Sequence, residues 1–142
     1  MLFMAKVMAA PSFSRMLLRD GRHLAWREYG LAEGFAVIFS HGNLNSRLFE
    51  AAWDKTDAIT KEAGVRLIAV DRPGYGESSF LEKRAYSSWA DDLSQLCQEL
   101  QLGPVALLGY SSGGPNSMAA AARMPAGQVT VLRDRHHTNV TA

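Results

Sequence analysis

The sequence predicts an α/β fold: a mostly parallel sheet with helices on both faces. Three observations lead to this prediction. Apolar runs rich in β-branched and aromatic residues have the composition of strands buried on both sides. Segments with a helical period separate these runs, and a turn signal near the start predicts an additional hairpin. The runs are Phe35–Ser40, Val65–Val70 and Pro104–Gly109.

The hairpin is predicted from the stretch RMLLRDGRHLAWREYG. Asp20 and Gly21 form a turn signal between Met16–Arg19 and Arg22–Tyr29. The second arm alternates in the way expected of a strand with two different faces. A further strand is expected at Val129–Leu132, after the last predicted helix.

Three helices are expected between the strands. The clearest is SSWADDLSQLCQELQLG, where Ser87 or Ser88 is predicted to cap the start, and Asp91 and Asp92 are expected in the first turn. Cys97 falls on its apolar stripe, which indicates packing rather than reactivity. FEAAWDKTDAITKEAG is a weaker helix, and NSMAAAARM is a strong helix former. The apolar stripe consists of Trp89, Leu93, Leu96, Cys97 and Leu100.

Length and composition predict a single globular domain. The chain has 142 residues, of which 47% are hydrophobic and 20% charged. We assign residues 1–15 to a flexible N-terminal extension, 16–132 to the folded domain and 133–142 to a polar tail. The formal charge of +1 gives no reason to expect a nucleic-acid partner, and no apolar run is long enough to span a membrane. Nothing in the sequence has the spacing of a metal or cofactor site, so neither is predicted.

The compartment is predicted to be the cytoplasm, because a single cysteine fits a reducing environment. The alternative is organelle targeting. The first residues contain no acids and carry Lys6, Arg15 and Arg19, which is faintly similar to a transit peptide.

A short polar segment follows each of the three buried strands. These segments are HGNLNSR, DRPGYGES and GYSSGG. Because the carboxyl ends of parallel strands meet at one edge of a sheet, we expect all three segments to converge there, where such sheets bind ligands.

Gly109-Tyr110-Ser111-Ser112-Gly113 matches the Gly-x-Ser-x-Gly elbow, in which a strained turn between strand and helix presents a nucleophilic serine. We therefore predict Ser111 as the nucleophile. The backbone amides of Ser112 and Asn43 are predicted to form the oxyanion hole. The alternative is a purely structural serine turn.

The other polar residues near this edge have structural interpretations. His41 is interpreted as part of the turn rather than as the base, and His23 as a solvated residue of the hairpin. Asp71 is interpreted as a loop clamp that accepts backbone or arginine hydrogen bonds.

Taken together, HGN, DRPGYGES and GYSSGG after the hairpin resemble the α/β-hydrolase fold, most closely its esterase, peptidase and cofactor-free haloperoxidase types. The resemblance covers Met16 to about Met124. It implies Ser111 as nucleophile, an oxyanion hole made by the Ser112 and Asn43 amides, and a small-molecule acyl substrate. HGN is also similar to haloalkane dehalogenases, but those use an aspartate at the elbow, so serine favours acyl transfer to water.

In this family the acid and the histidine follow the serine in the chain. The resemblance therefore implies that the chain holds the N-terminal half to two-thirds of the fold and is catalytically incomplete. The first alternative is a compact triad, with Asp134 as acid and His136 or His137 as base. The second is a non-catalytic truncated form or binding remnant. An incomplete sheet would also expose an edge through which the chain self-associates.

Overall fold

The computed structural model describes residues 13–48, 55–134 and 137–140. Within these ranges the strands form one mixed sheet in the order β1-β2-β4-β3-β5-β6-β7. The helices are α1 (Thr56–Glu62), α2 (Tyr86–Glu99) and α3 (Gly113–Arg123). The strands are β1 (Ser14–Leu17), β2 (His23–Gly30), β3 (Phe35–Ser40), β4 (Val65–Val70), β5 (Val105–Gly109), β6 (Val129–Asp134) and β7 (His137–Val140).

The predicted α/β class is confirmed. The three apolar runs form β3, β4 and β5, which lie next to one another at the centre of the sheet and run parallel. The predicted hairpin is formed by β1 and β2, and its turn places Gly21 at φ +87°, a conformation that glycine adopts at low cost. Strand β2 then pairs antiparallel with β4, and β6 extends the parallel part beside β5.

Apolar side chains cover both faces of the sheet. On one face, the buried side chains of α2 pack with alternate residues of the central strands, such as Ile38 and Ile68. On the other face lies a smaller cluster formed by Tyr29, Phe39, Leu67 and Ala69. Helix α1 contacts β2 and β4. The alternation of faces along each strand thus produces two apolar layers from continuous apolar runs.

The interpretation of Cys97 as a packing residue is confirmed. It is 3% exposed and lies in the larger cluster with Leu93 and Leu96. Burial raises the pKa of its thiol to about 11, which keeps the thiol protonated and unreactive at neutral pH.

The predicted start of α2 is wrong. The helix begins at Tyr86 after an extended Ala85, and no side chain caps it. The Ser88 hydroxyl instead donates to the Ala85 carbonyl, at 2.7 Å. Because the helix begins before the apolar stripe, Asp91 and Asp92 lie beyond its first turn.

Asp92 has a tertiary role instead of a local one. Its carboxylate accepts two hydrogen bonds from the Arg22 guanidinium, at 3.0 and 2.6 Å. Burial raises the pKa of the Asp92 carboxyl in spite of this partner. The ion pair ties the start of β2 to the middle of α2.

The segment predicted as a polar tail, 133–142, contains the end of β6 and strand β7, which pairs antiparallel with β6. In the described sheet the terminal strand on this side is therefore β7, and self-association through a sheet edge stays a prediction. Residues 1–12 of the predicted extension, 49–54 of the weaker helix, and His136 lie outside the described residues. Within the described ranges, no helix has the length and apolar character needed to cross a membrane.

Candidate active site

Ser111 stands on a tight turn between the end of β5 and the start of α3. Its φ is +53°, in the left-handed region that side chains other than glycine rarely adopt. Such strained residues persist only where the surrounding structure holds them, and they are concentrated at functional sites. Ser111 is exposed, and this position is at the carboxyl edge of the sheet.

The glycines around Ser111 allow this turn to pack closely. A Cβ at Gly109 would lie 2.6 Å from the Cα of Gly114, and a Cβ at Gly113 would overlap the Ser40 carbonyl oxygen. The steric explanation predicted for the elbow is thus confirmed: strand β5, helix α3 and the end of β3 approach more closely than side chains permit.

The loop after β3 lies against the elbow, as predicted. A Cβ at Gly42 would be 3.2 Å from the Cβ of Ser111. The Ser112 hydroxyl donates to the Asn43 Oδ1 at 2.9 Å, so the two residues predicted to form the oxyanion hole are in direct contact. Among the described residues, neither the Asn43 nor the Ser112 backbone amide has a hydrogen-bond acceptor. Their role as oxyanion donors stays a prediction.

Asp71 is the predicted loop clamp. It is fully buried and accepts hydrogen bonds from the Arg47 amide at 2.6 Å and the Glu77 amide at 2.9 Å. The Arg47 guanidinium forms a buried ion pair with the same carboxylate. This carboxylate therefore joins the loop after β3 to the loop after β4.

His41 is buried, and both of its ring nitrogens have partners. Nδ1 lies 2.7 Å from the Gly42 carbonyl, which can only accept, and Nε2 lies 3.0 Å from the Arg72 amide, which can only donate. The ring is therefore the neutral Nδ1–H tautomer. Burial lowers its pKa to about 4. His41 has no nitrogen left for Ser111, in agreement with its interpretation as part of the turn.

Arg72 is a residue whose place in the site the sequence did not indicate. It is 3% exposed, and its Nη2 donates to the Asn43 Oδ1 at 3.1 Å and to the Ser112 Oγ at 3.0 Å. The Tyr75 hydroxyl donates to the same Asn43 oxygen at 3.1 Å. Arg72 thus links the two loops that carry the predicted oxyanion donors. The sequence feature that could have indicated Arg72 as a site residue is its position directly after Asp71 in DRPGYGES.

The strand register gives the backbone positions of the acid and base predicted for the compact triad. Asp134 lies opposite Gly109 on the neighbouring strand, at the same edge as the elbow. His137 lies opposite Asp134 on β7, so two strand spacings, about 10 Å, separate its backbone from β5. His136 lies outside the described residues. The acid and base assigned to this tail stay predictions.

A mixed sheet with helices on both faces and a glycine-lined serine turn at its carboxyl edge has the architecture of α/β hydrolases as a class. The family model for the alpha/beta hydrolase fold matches residues 36–127. The chain therefore belongs to the alpha/beta hydrolase fold family.

The individual proteins to which the chain is similar are named for different activities. It is 36% identical over 98 residues to the non-heme chloroperoxidase CPO-A1 of Kitasatospora aureofaciens, covering 68% of this chain and 34% of that protein. It is 31% identical over 101 residues to the mouse sn-1-specific diacylglycerol lipase ABHD11, covering 68% and 32%. Among solved structures, an esterase from Exiguobacterium antarcticum superposes with a TM-score of 0.71 at 26% identity, covering 85% of this chain and 44% of that one. The chain thus spans less than half the length of these relatives.

Proposed function

We propose that the chain carries the nucleophile and oxyanion hole of a serine hydrolase that cleaves an ester, amide or similar acyl bond. The observation that carries this proposal is the strained, exposed Ser111 at φ +53°, next to the Ser112 and Asn43 backbone amides, which have no acceptor among the described residues. In this scheme the Ser111 Oγ adds to the acyl carbon while a base, for which His136 and His137 are the candidates in this chain, takes the hydroxyl proton. The electrons of the carbonyl π bond move to the oxygen, and the Asn43 and Ser112 amides donate to this oxyanion. When the carbonyl re-forms, the alcohol or amine leaves with that proton, and water then hydrolyses the acyl-enzyme.

The relatives support an acyl substrate at the level of reaction type. The similar proteins include a lipase and an esterase, both of which act on ester bonds by their names. The elbow of this chain holds a serine, which suits acyl transfer, whereas an aspartate would indicate dehalogenase or epoxide hydrolase chemistry.

A second candidate function is a non-catalytic form. The favouring observation is that, among the side chains the structure describes, no group hydrogen-bonds to the Ser111 hydroxyl. A serine without a base keeps the pKa of an ordinary alcohol and is a poor nucleophile. In serine proteases, loss of a triad member reduces the rate by up to about 10⁶.

A fluorescent fluorophosphonate probe distinguishes the two. Covalent labelling of the purified full chain, lost in Ser111→Ala and kept in Ser94→Ala, is the result expected of an activated nucleophile. Ser94 is a matched control because it lies in the second half of α2, whereas the cavity beside the elbow is lined by the start of that helix. Absence of labelling in folded protein would refute an activated Ser111 and support the non-catalytic form.

The origin of the base is tested by the same assay. If Asp134 and His137 act as acid and base, labelling is lost in His137→Ala, and His136→Ala tests the neighbouring candidate. Labelling that survives in both variants would exclude the compact triad.

A further inference from the structure

A cavity of about 450 Å³ opens beside the elbow, between the loops after β3 and β4 and the starts of α2 and α3. This volume is within the usual range of small-molecule sites, about 300–1,000 Å³. Among the described residues, its lining contains two arginines and no aspartate or glutamate. The polar residues that line it are Asn43, Arg72, Arg84, Tyr86, Ser112 and Asn116.

Arg72 is buried there, and no described residue pairs it with an opposite charge. The oxygens that its guanidinium contacts, on Asn43 and Ser112, are neutral, and its Nε has no hydrogen-bond partner within the described ranges. Burial lowers the pKa of the Arg72 guanidinium, and the positive charge of Arg84 lowers it further. A buried charge without a counter-charge is costly. An anion bound in the cavity would compensate it.

Arg84 brings a second guanidinium to the same cavity. Its Nη1 donates to the Pro73 carbonyl at 3.0 Å, which holds the side chain against the loop after β4. In the described part of the chain it forms no ion pair with a carboxylate. By contrast, arginines elsewhere in the structure, such as Arg22 and Arg66, are paired with acids.

The starts of two helices add to the positive potential. Ala85 and Tyr86 line the cavity where α2 begins, and α2 has no side-chain cap to satisfy its first amides. Ser112, which precedes the first residue of α3, also lines the cavity. Helix N-termini carry a partial positive charge and bind anions through their free amides.

We propose that this cavity binds an anionic group, a carboxylate or a phosphate, through Arg72 and Arg84. A guanidinium binds both kinds of group with paired hydrogen bonds. Because Ser112 follows Ser111 directly, an anion held here lies next to the elbow. If the proposed function is correct, the substrate class is a small acyl compound that carries a carboxylate or phosphate near the bond to be cleaved.

The experiment measures anion binding and needs no catalysis. Isothermal titration calorimetry on the full chain compares succinate, inorganic phosphate and the uncharged analogue succinamide. We expect saturable binding of at least one anion and none of succinamide. The ratio of the two anion affinities identifies carboxylate or phosphate as the preferred group.

Charge-removing variants locate the site. We expect Arg84→Gln and Arg72→Gln each to weaken anion binding about tenfold or more, the effect of one charge-assisted contact. Arg123→Gln removes the same charge from the other end of α3 and is expected to change the affinity less than about twofold. Circular dichroism checks that each variant is folded, and the exposed Arg84 keeps the test available if Arg72→Gln does not fold.

The outcomes separate this site from the nucleophile. No saturable anion binding, or equal binding in Arg84→Gln, Arg123→Gln and the unaltered chain, would overturn the anion site whatever Ser111 does. Anion binding that is retained in Ser111→Ala and lost in Arg84→Gln supports the site, even if the fluorophosphonate probe fails to label Ser111.

Discussion

Protonation of His41 is expected to make the fold sensitive to mild acid. The ring is fully buried, donates to the Gly42 carbonyl and accepts from the Arg72 amide. A proton on Nε2 would replace this acceptor with a second donor facing the amide. Burial, which disfavours the charged ring, is the main cause that lowers the pKa of His41 from the ordinary 6.5 to about 4.

The size of the effect follows from proton linkage. Below pH 6.5 the unfolded chain protonates His41 while the folded chain keeps it neutral until the pH approaches 4. The unfolded state then binds more protons, so the free energy of unfolding falls as the pH falls, by about 1.4 kcal/mol per pH unit. Between pH 6.5 and pH 5 the loss is about 2 kcal/mol.

The assay is urea unfolding of the full chain at pH 7 and at pH 5, followed by circular dichroism. His41→Gln offers an amide that can donate to Gly42 and accept from Arg72, but it cannot take up a proton. We expect this variant to lose about 2 kcal/mol less stability than the unaltered chain over the same pH range. His23→Gln removes a histidine of β2 whose hydrogen bonds within the described ranges are made by its backbone. This variant should keep the full pH dependence of the free energy of unfolding. Equal acid sensitivity in the unaltered chain and in His41→Gln would refute the reasoning.

Three further predictions concern the support of the site. Asp71→Asn should lower the free energy of unfolding by about 3–5 kcal/mol, because it leaves the buried guanidinium of Arg47 without its counter-charge; a loss below about 1 kcal/mol in urea unfolding would contradict the clamp. Gly113→Ala should cost about 1–3 kcal/mol or more, because the new methyl group overlaps the Ser40 carbonyl oxygen. Gly103→Ala meets no neighbour within 4 Å and should be close to neutral, and equal effects of the two variants would contradict the packing argument. Cys97 should react with iodoacetamide only after unfolding in urea, since burial raises the pKa of its thiol to about 11, and fast alkylation of the folded chain would show the thiol to be accessible.

The sequence predicted those parts of the fold whose causes are local. The apolar runs at Phe35–Ser40 and Val65–Val70 became strands with the same bounds, because burial on both faces demands a continuous apolar composition. The turn at Ser111 was likewise predictable, since glycines on either side are a steric requirement of the elbow.

Features that depend on distant partners could not be predicted in this way. Asp92 was expected in the first turn of α2, yet it pairs with Arg22, which is 70 residues away in the chain. In the sequence, Arg72 is identifiable only as a loop residue. Its contacts with Asn43 and Ser112 form only when the ends of β3, β4 and β5 lie side by side. Neither pairing leaves a periodic trace in the sequence, because each depends on how the sheet is ordered.

The strand order also determines when the elbow region can form during folding. Strand β3 lies between β4 and β5, and both partners come later in the chain. During synthesis, one edge of β3 must therefore wait for Val105–Gly109 to emerge, and that strand leads directly into the turn that carries Ser111. Non-local pairing of this kind is slow and leaves an unpaired strand edge open to aggregation in the meantime. The pairing of β5 with β3 that completes the central sheet is thus also the pairing that places the elbow against the β3 loop.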